Sequence, residues 1–275
     1  MNLYETAQKR LIITAHRGTC GGNIPCNTIT AYDTAVAHGA DMIEIDASMS
    51  ADGTLFSFHP GMEKMHLGVN VQLPKLSDRE IRELRYVNAD QTPTQWGLCT
   101  LEEIFDRYRG RCFINVDKFW DHPQAISDLI RKFNMADQIV VKTTPKSNLL
   151  DIIESYAPEI AYLPIIKNDG GIHEELKNRN INYVGAEVLF DSENSELCSD
   201  SYITKMHSDG KLVWANAIIY NYKAQLAAGH SDDTALSISE EYGWGWLADI
   251  GFDIIQTDWT LPLRLFLERT GRRFR

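Results

Sequence analysis

Short apolar runs alternate along the chain with longer segments in which apolar residues recur at helical spacing. Apolar runs of this length, often β-branched, are typical of buried strands. Eight of them lie at residues 11–15, 42–47, 112–116, 138–142, 161–164, 183–188, 212–216 and 254–257. The spacing predicts amphipathic helices between most of them, for example at 28–38, 124–133, 146–156 and 240–250. Strands that alternate with helices indicate a parallel sheet, and eight repeats favour its closure into a (β/α)8 barrel, the TIM-barrel fold.

The alternation breaks after the second strand, between residues 52 and 100. This stretch holds a strand-like run at 54–59, a segment rich in Gly and Met at 60–69 and a small polar helix at 77–84. We expect a small insertion that passes over the mouth of the barrel. No linker, repeat or low-complexity tract divides the sequence, which predicts one domain over residues 1–275 with its insertion at about 52–100.

Composition and charge narrow the class of protein. The chain is 44% hydrophobic and 24% charged, as in ordinary soluble proteins, and its formal net charge is −11. That acidic balance argues against a nucleic acid as partner. No apolar run reaches the roughly 18 residues that span a bilayer, so no stable membrane insertion is expected. The first ten residues lack the apolar segment of a signal peptide, which predicts a cytoplasmic location unless a leader was removed.

The five cysteines show no Cys-x-x-Cys spacing, so reduced thiols are expected rather than a disulfide framework or a zinc site. The sequence leaves the oligomeric state open.

Chemically active side chains stand at the ends of the first three of these strands. His16 and Arg17 follow the first strand. Glu44 and Asp46 lie at alternate positions late in the second, and Asp117 closes the third. Functional groups of TIM barrels gather at these carboxyl ends, and three carboxylates suit Mg²⁺ or Ca²⁺. Glu44 and Asp46 could instead face solvent on an amphipathic strand, but buried barrel strands make unpaired inward charges costly. We therefore predict a divalent metal site.

Several motifs together resemble the glycerophosphodiester phosphodiesterase family. They lie at residues 16–18, 24–28 with 31–32, 39–46, 52–53 and 59, and farther along at 101–104, 114–117, 212–216 and 251–258. The resemblance spans nearly the whole chain and is most specific in the first 60 residues. It implies a (β/α)8 barrel, a divalent metal, and hydrolysis of glycerophosphodiesters, as small-molecule substrates, to glycerol 3-phosphate and an alcohol.

The resemblance also implies catalytic roles. His59 would protonate the leaving alcohol, and His16 would activate either water or the substrate's own neighbouring hydroxyl. Arg17 would neutralise the non-bridging phosphate oxygens and so bind substrate. Histidine suits proton transfer because its ordinary pKa lies near neutrality. The remaining histidines are interpreted as surface or packing residues; they are His38, His66, His122, His173, His207 and His230.

Three residues on later strands are further candidates for substrate binding. Lys142 ends the fourth strand and could bind phosphate or a ligand carboxylate. Glu187 lies late in the sixth strand. Trp214, on the seventh, could pack against the glycerol or alcohol, as the family's matching region suggests, or could serve barrel packing alone. The run 243–246, Gly-Trp-Gly-Trp, is interpreted as loop and helix-start packing rather than a sugar platform.

Three departures from the family pattern bear on the substrate. Cys26 stands where the family usually has glutamate, and Pro60 stands where it has aspartate. Asp117-Lys118-Phe119 stands where the family usually has Glu-Ile-Lys, so the lysine is lost from its position, and Lys142 could supply the missing charge. These changes spare the predicted metal carboxylates and both candidate histidines, which favours an active, diverged enzyme.

Two other functions stay open. The same site could cleave another phosphodiester such as an intact phospholipid, although the apolar rim at 60–62 and 65 is thin for docking on a membrane. The chain could also be a non-catalytic barrel that binds phosphate, with metal and ligand binding but no turnover.

Overall fold

The computed structural model describes residues 1–220 and 223–275. Nine strands lie in that part of the chain: β1 Ile12–Ala15, β2 Met42–Met49, β3 Leu55–Ser57, β4 Phe113–Asp117, β5 Ile139–Thr143, β6 Ala161–Ile166, β7 Gly185–Val188, β8 Leu212–Asn216 and β9 Ile254–Thr257. All except β3 pair side by side in parallel, and β1 pairs with both β2 and β9, which closes the sheet. The predicted TIM barrel is therefore confirmed, and each barrel strand begins within two residues of its predicted start.

Helices connect the strands and pack around the barrel. The α-helices of the described residues are α1 Leu3–Ala7, α2 Ile29–Ala37, α3 Glu63–Leu67, α4 Asp78–Glu83, α5 Leu101–Tyr108, α6 Pro123–Phe133, α7 Ser147–Tyr156, α8 Ile172–Lys177, α9 Asp200–Ser208, α10 Asp232–Ser237, α11 Trp246–Ile250 and α12 Thr260–Arg269. Short 3-10 turns lie at Leu73–Lys75, Phe119–Asp121 and Glu196–Cys198. The helix expected at 240–250 consists of a π-helical segment, Glu241–Gly245, that runs into α11. Among the described residues, no helix is long and apolar enough to cross a membrane.

Alternation along the barrel strands divides side chains between the interior and the layer beneath the helices. The lower interior, toward the strands' amino ends, is apolar and is closed by Leu3 and Ala7 of α1. Its strand residues are Ile12, Met42, Phe113, Val140, Leu163, Leu212, Trp214 and Ile254. Farther up, the inward positions carry polar groups such as Glu44, Asn115 and Lys142, all buried. The barrel therefore has an apolar base and a charged upper half.

The insertion after the second strand forms a small lobe with its own apolar cluster. That cluster contains Phe56, Phe58, Leu67, Leu73, Ile81, Tyr86 and Leu98. β3 pairs antiparallel with the end of β2, and the Phe58 amide donates to the Asp46 carbonyl at 3.1 Å. This pairing brings His59, the next residue, back to the carboxyl end of β2. The predicted insertion is thus confirmed, and it delivers a candidate catalytic residue to the barrel mouth.

Candidate active site

The three predicted metal ligands meet at the carboxyl ends of β2 and β4. The register of these strands sets Asp46 beside Asp117, with Glu44 two residues earlier on the same face of β2. One carboxylate oxygen from each of the three residues lies within 4.8 Å of the others. Asp46 Oδ1 is buried and has no hydrogen-bond partner among the described residues. A bound divalent cation would satisfy such an oxygen, so these residues fit the predicted metal.

The crowding of negative charge is visible at Glu44. Burial, together with the neighbouring charges of Asp46 and Asp117, raises the pKa of Glu44 to about 7. A cation held by the three carboxylates would reverse that effect by stabilising their charged forms. The electrostatics of the cluster therefore favour metal binding.

Arg17 contacts two of the three carboxylates. Its Nε lies 2.9 Å from Asp46 Oδ2, and its backbone amide donates to Glu44 Oε2 at 2.8 Å. Arg17 has a φ of 55°, a left-handed conformation that is costly for a side chain of this size. The strained backbone turns both the amide and the guanidinium of Arg17 toward the same cluster. A guanidinium in this position is suited to bind phosphate oxygens.

Asn27 is a site residue to which sequence reasoning gives no role, although it lies in the family motif at 24–28. Its Nδ2 donates to Asp46 Oδ2 at 2.8 Å, and its Oδ1 accepts from the Asp46 amide at 3.2 Å. The same Oδ1 accepts from the hydroxyls of Tyr32 at 2.9 Å and Ser57 at 3.2 Å. This buried network fixes one oxygen of Asp46 and leaves the other for a cation.

His16 follows β1 and is paired with Asp258, just beyond β9. The distance between His16 Nδ1 and Asp258 Oδ1 is 2.9 Å. Burial opposes a charge on the ring, but the hydrogen bond to Asp258 and the charge of Glu44 outweigh it, so the pKa of His16 is raised. A raised pKa and an aspartate partner suit a group that accepts a proton.

His59 has a different environment. Its Nδ1 lies 2.9 Å from the carbonyl oxygen of Pro60, to which the ring N–H donates, so Nε2 is the nitrogen left for other chemistry. Partial burial lowers the pKa of His59, and the positive charges of Arg17 and Lys118 add to the effect against the opposing charge of Asp46. A lowered pKa makes the protonated ring a stronger acid.

Lys118 supplies the positive charge that the family pattern places one residue later. It has a φ of 60°, and its Nζ lies 2.6 Å from Asp117 Oδ2. This direct contact, together with the charge of Lys142, keeps the pKa of Asp117 low in spite of burial. Lys118, rather than Lys142, therefore makes the direct contact with the shortened acidic side chain.

The other predicted substrate-binding residues form a buried group inside the barrel. Lys142 Nζ lies 2.5 Å from Glu187 Oε2, and Asn216 Nδ2 donates to Glu187 Oε1 at 2.7 Å. The Lys142 ammonium stands 4.2 Å from the centre of the Trp214 ring. Trp214 is fully buried among the apolar base residues, so in this conformation it packs below Lys142 and offers no surface to a substrate. Of its two interpretations, the geometry favours barrel packing.

A largely apolar cavity of about 640 Å³ opens beside His16 and Arg17. Its other lining residues are Thr19, Cys20, Cys26, His38, His66, Asp258, Trp259, Thr260, Leu261 and Pro262. Cys26 thus faces a space where the family's glutamate would place a charge. Burial raises the pKa of the Cys26 thiol to about 12, which keeps it neutral. His38 and His66, interpreted as surface or packing residues, also border this cavity.

His173 belongs to a second acidic cluster, with Glu174 and Asp209. The two ring nitrogens of His173 are engaged by Tyr183 and Asp209 at 2.9 and 2.7 Å. Lys177 Nζ lies 3.0 Å from the same Asp209 carboxylate. Ammonium groups already neutralise these carboxylates, so the cluster is an ion-pair network, in agreement with the packing role expected for His173.

Fold and site together define a TIM barrel whose strand ends carry a carboxylate cluster suited to a divalent cation, with an arginine and two histidines close by. A family profile described as a domain of unknown function matches residues 162–267. A glycerophosphodiester phosphodiesterase of Bacillus subtilis is 32% identical over an alignment 166 positions long, which covers 52% of this chain. The match covers 55% of that relative, so the chain spans about half its length.

Two further comparisons cover nearly the whole chain. Lysophospholipase D GDPD1 of Rattus norvegicus is 24% identical over 92% of this chain and 85% of its own length. A phosphodiesterase of Oleispira antarctica, solved with the product sn-glycerol-3-phosphate, matches with a TM-score of 0.70 at 15% identity. That match covers 98% of this chain and all of the other. The chain is thus similar to proteins named glycerophosphodiester phosphodiesterases, and the enzyme class in those names is the one that the motifs predicted.

Proposed function

We propose that the chain is a divalent-metal-dependent phosphodiesterase that hydrolyses glycerophosphodiesters to glycerol 3-phosphate and an alcohol. The observation that carries this proposal is the triad of Glu44, Asp46 and Asp117, whose oxygens converge within 4.8 Å beside Arg17. In phosphoryl chemistry, positioning and neutralisation of charge supply most of the rate enhancement. A bound Mg²⁺ or Ca²⁺ would supply a large part of that neutralisation.

The side chains around the triad divide the remaining work. Arg17 binds the non-bridging oxygens of the phosphate as a cationic fork. His16, held by Asp258, takes the proton of the attacking hydroxyl, whether that belongs to water or to the glycerol. His59, whose protonated form is a stronger acid than usual, gives a proton to the leaving alcohol. Lys142 and Glu187 shape the floor of the site through their buried ion pair.

The relatives support the same reaction. The Bacillus relative carries its name for this activity, and the Oleispira structure holds the phosphate product. A small soluble phosphodiester also accords with an acidic chain, since a local cation and Arg17 can attract phosphate where the global charge does not.

A second candidate substrate is a phosphodiester that carries an apolar chain, such as a lysophospholipid. The cavity beside His16 favours it, because Cys20, Cys26, Leu261 and Pro262 offer apolar surface. The Rattus relative is named for activity on lysophospholipids. Both candidates use the same triad and differ only in the group that fills this cavity.

The test is product release by the purified protein with Mg²⁺, Ca²⁺ or EDTA. Glycerophosphocholine, glycerophosphoethanolamine and lysophosphatidylcholine serve as substrates, with glycerol 3-phosphate or lysophosphatidic acid measured by mass spectrometry. We expect turnover that EDTA abolishes and that His59→Ala reduces by about 100-fold or more. Asp249→Asn, on the surface, is the matched control.

Higher kcat/KM with lysophosphatidylcholine than with glycerophosphocholine would select the second substrate. Binding of both the metal and glycerophosphocholine in the calorimeter, without turnover of any substrate, would show that the barrel binds phosphodiesters but does not cleave them.

A further inference from the structure

Asp258 and Asp232 form a hydrogen-bonded chain that ends on the His16 ring. We propose that both are positioning residues, which hold the His16 imidazole in one orientation and one tautomer for proton transfer. The proposal rests on the proposed function only in taking His16 as a group that exchanges protons with substrate. Asp258 needs an anchor to hold the His16 ring, because its side chain is 46% exposed. A carboxylate on an exposed loop has no fixed direction unless its backbone is held in place.

Asp232 provides that anchor. It is the first residue of α10 and is buried, with 3% exposure. Its Oδ2 accepts from the Asp258 amide at 2.8 Å. Its Oδ1 accepts from Trp244 Nε1 and from the Thr257 hydroxyl, both at 2.7 Å. Both oxygens are thus engaged, so Asp232 ties α10 to the segment that leads from β9 into Asp258.

Trp244, in the Gly-Trp-Gly-Trp run, supplies a buried hydrogen-bond donor to Asp232. Trp244 is fully buried in the π-helical segment, which lies directly against α10. A Cβ atom on Gly243 would stand 2.6 Å from the Ala235 side chain and 2.7 Å from its amide nitrogen. Glycine is therefore required for the close approach that brings the Trp244 indole to Asp232. The run at 243–246, interpreted from the sequence as packing, therefore also supports the candidate site through Asp232.

The consequence for His16 follows from its two nitrogens. Asp258 accepts a hydrogen bond at Nδ1, so that nitrogen carries the proton in the neutral ring. Nε2 then has a free lone pair with which to take a proton from a nucleophile. An unconstrained imidazole favours the opposite tautomer, so loss of the anchor turns the ring to the wrong form for this step.

The test reads the tautomer directly. The protein is labelled with ¹⁵N at histidine, and the ring nitrogens of His16, assigned by loss of its signals in His16→Gln, are observed above pH 8 in EDTA. We expect the Nδ1–H form in the wild type and a majority of the Nε2–H form in Asp258→Ala. In Asp258→Asn the amide N–H can donate to Nδ1, so the Nε2–H form should predominate there as well. Trp244→Phe keeps a buried aromatic ring but removes the indole donor, and should shift the population partway.

Activity supplies a second readout. We expect Asp258→Ala and Asp232→Asn to lower kcat by about 10- to 100-fold, because both act on proton transfer through His16. KM should change little in Asp232→Asn, since Asp232 is buried and does not line the cavity beside His16. Asp249→Asn should match the wild type. An Nδ1–H ring that persists in Asp258→Ala would overturn the proposal, whatever the activity. A tautomer that responds as expected in a protein without turnover would instead reject the proposed function and leave the positioning role intact.

Discussion

Aspartates lie at both ends of this barrel, and their surroundings differ sharply. At the amino ends of the strands, Asp41 accepts from the Ile13 amide at 2.9 Å, and its two oxygens lie 2.8 and 2.7 Å from Arg10 and Arg273. At the carboxyl ends, Asp46 keeps a buried oxygen without a partner in the described residues. The Asp41 carboxylate therefore has hydrogen-bond or ion-pair partners for both oxygens, whereas the Asp46 carboxylate has one buried oxygen without a partner in the described residues.

The difference separates a structural role from a functional one. A buried carboxylate with matched donors stabilises the fold, whereas a buried cluster of carboxylates with too few donors costs stability until a ligand arrives. Glu44, whose pKa rises to about 7 through burial and neighbouring charge, belongs to the second kind. The candidate site is thus recognised by buried carboxylates that lack enough donors, and not by the residue type alone.

The largest effect is expected from Glu44→Gln. The substitution removes one ligand of the predicted metal, and the loss of several kcal/mol of charge stabilisation lowers kcat/KM by about 1,000-fold. Because it also removes a repelled buried charge, the free energy of unfolding without metal should stay equal or rise. Product release and urea unfolding in EDTA measure the two quantities. A strongly destabilised variant would contradict the contrast between the two barrel ends.

Asp41→Asn should show the opposite pattern. The change leaves Arg273, whose side chain is 5% exposed, without its charged partner. Breaking a buried ion pair typically lowers the free energy of unfolding by about 3 kcal/mol. Activity per folded molecule should match the wild type, as measured below the unfolding transition. Asp249→Asn, which breaks an exposed pair with Arg272, is the control and should cost less than about 1 kcal/mol.

Asp232 lies between these extremes, because it is buried with three hydrogen-bond donors and, among the described residues, no charged partner. Burial raises its pKa to about 6 in spite of the donated hydrogen bonds. The folded state then binds more protons than the unfolded state between about pH 4 and 6, so stability falls as pH rises through this window. Relative to Asp232→Asn, the wild type should lose roughly 2 kcal/mol across it. Urea unfolding of both proteins at pH 4, 5, 6 and 7 measures the difference, and parallel curves would rule out this titration.

The smallest effect concerns substrate preference. Cys26→Glu restores the family's carboxylate beside the apolar cavity. A charge there should disfavour an apolar chain by about 1 to 2 kcal/mol, which lowers the kcat/KM ratio of lysophosphatidylcholine to glycerophosphocholine by about 5- to 30-fold. Cys26→Ser is the matched control, since it changes polarity without charge. An unchanged ratio in the glutamate variant would show that the cavity does not hold the variable group.

The sequence predicts the fold well because barrel strands are buried on both faces, which makes them short continuous apolar runs. The triad is predictable for the same reason, since Glu44 and Asp46 interrupt such a run at alternate positions, where a charge must have a purpose. The local sequence pattern can thus identify charged residues that interrupt an otherwise apolar, buried strand.

Partners that are distant along the chain escape this reasoning. His16 and Asp258 are separated by 242 positions, and only closure of the barrel brings them together. Likewise, Lys118 reaches Asp117 through a left-handed backbone, a local conformation that the lysine's identity does not signal. Trp214 is buried because its side chain lies near the apolar base of the barrel rather than near the mouth. The pattern of a single strand does not show how far along the barrel axis a side chain lies.

The pairing of β1 with β9 has a consequence for synthesis on the ribosome. The first strand emerges early, yet its neighbour on that side is made only after residue 254. Until then β1 presents an unpaired edge, on which the nascent chain is exposed to misassociation. The His16–Asp258 contact forms at the same closing step, so the geometry proposed for proton transfer arises only when the barrel closes. A ribosome-bound chain stalled before β9 should therefore lack this contact.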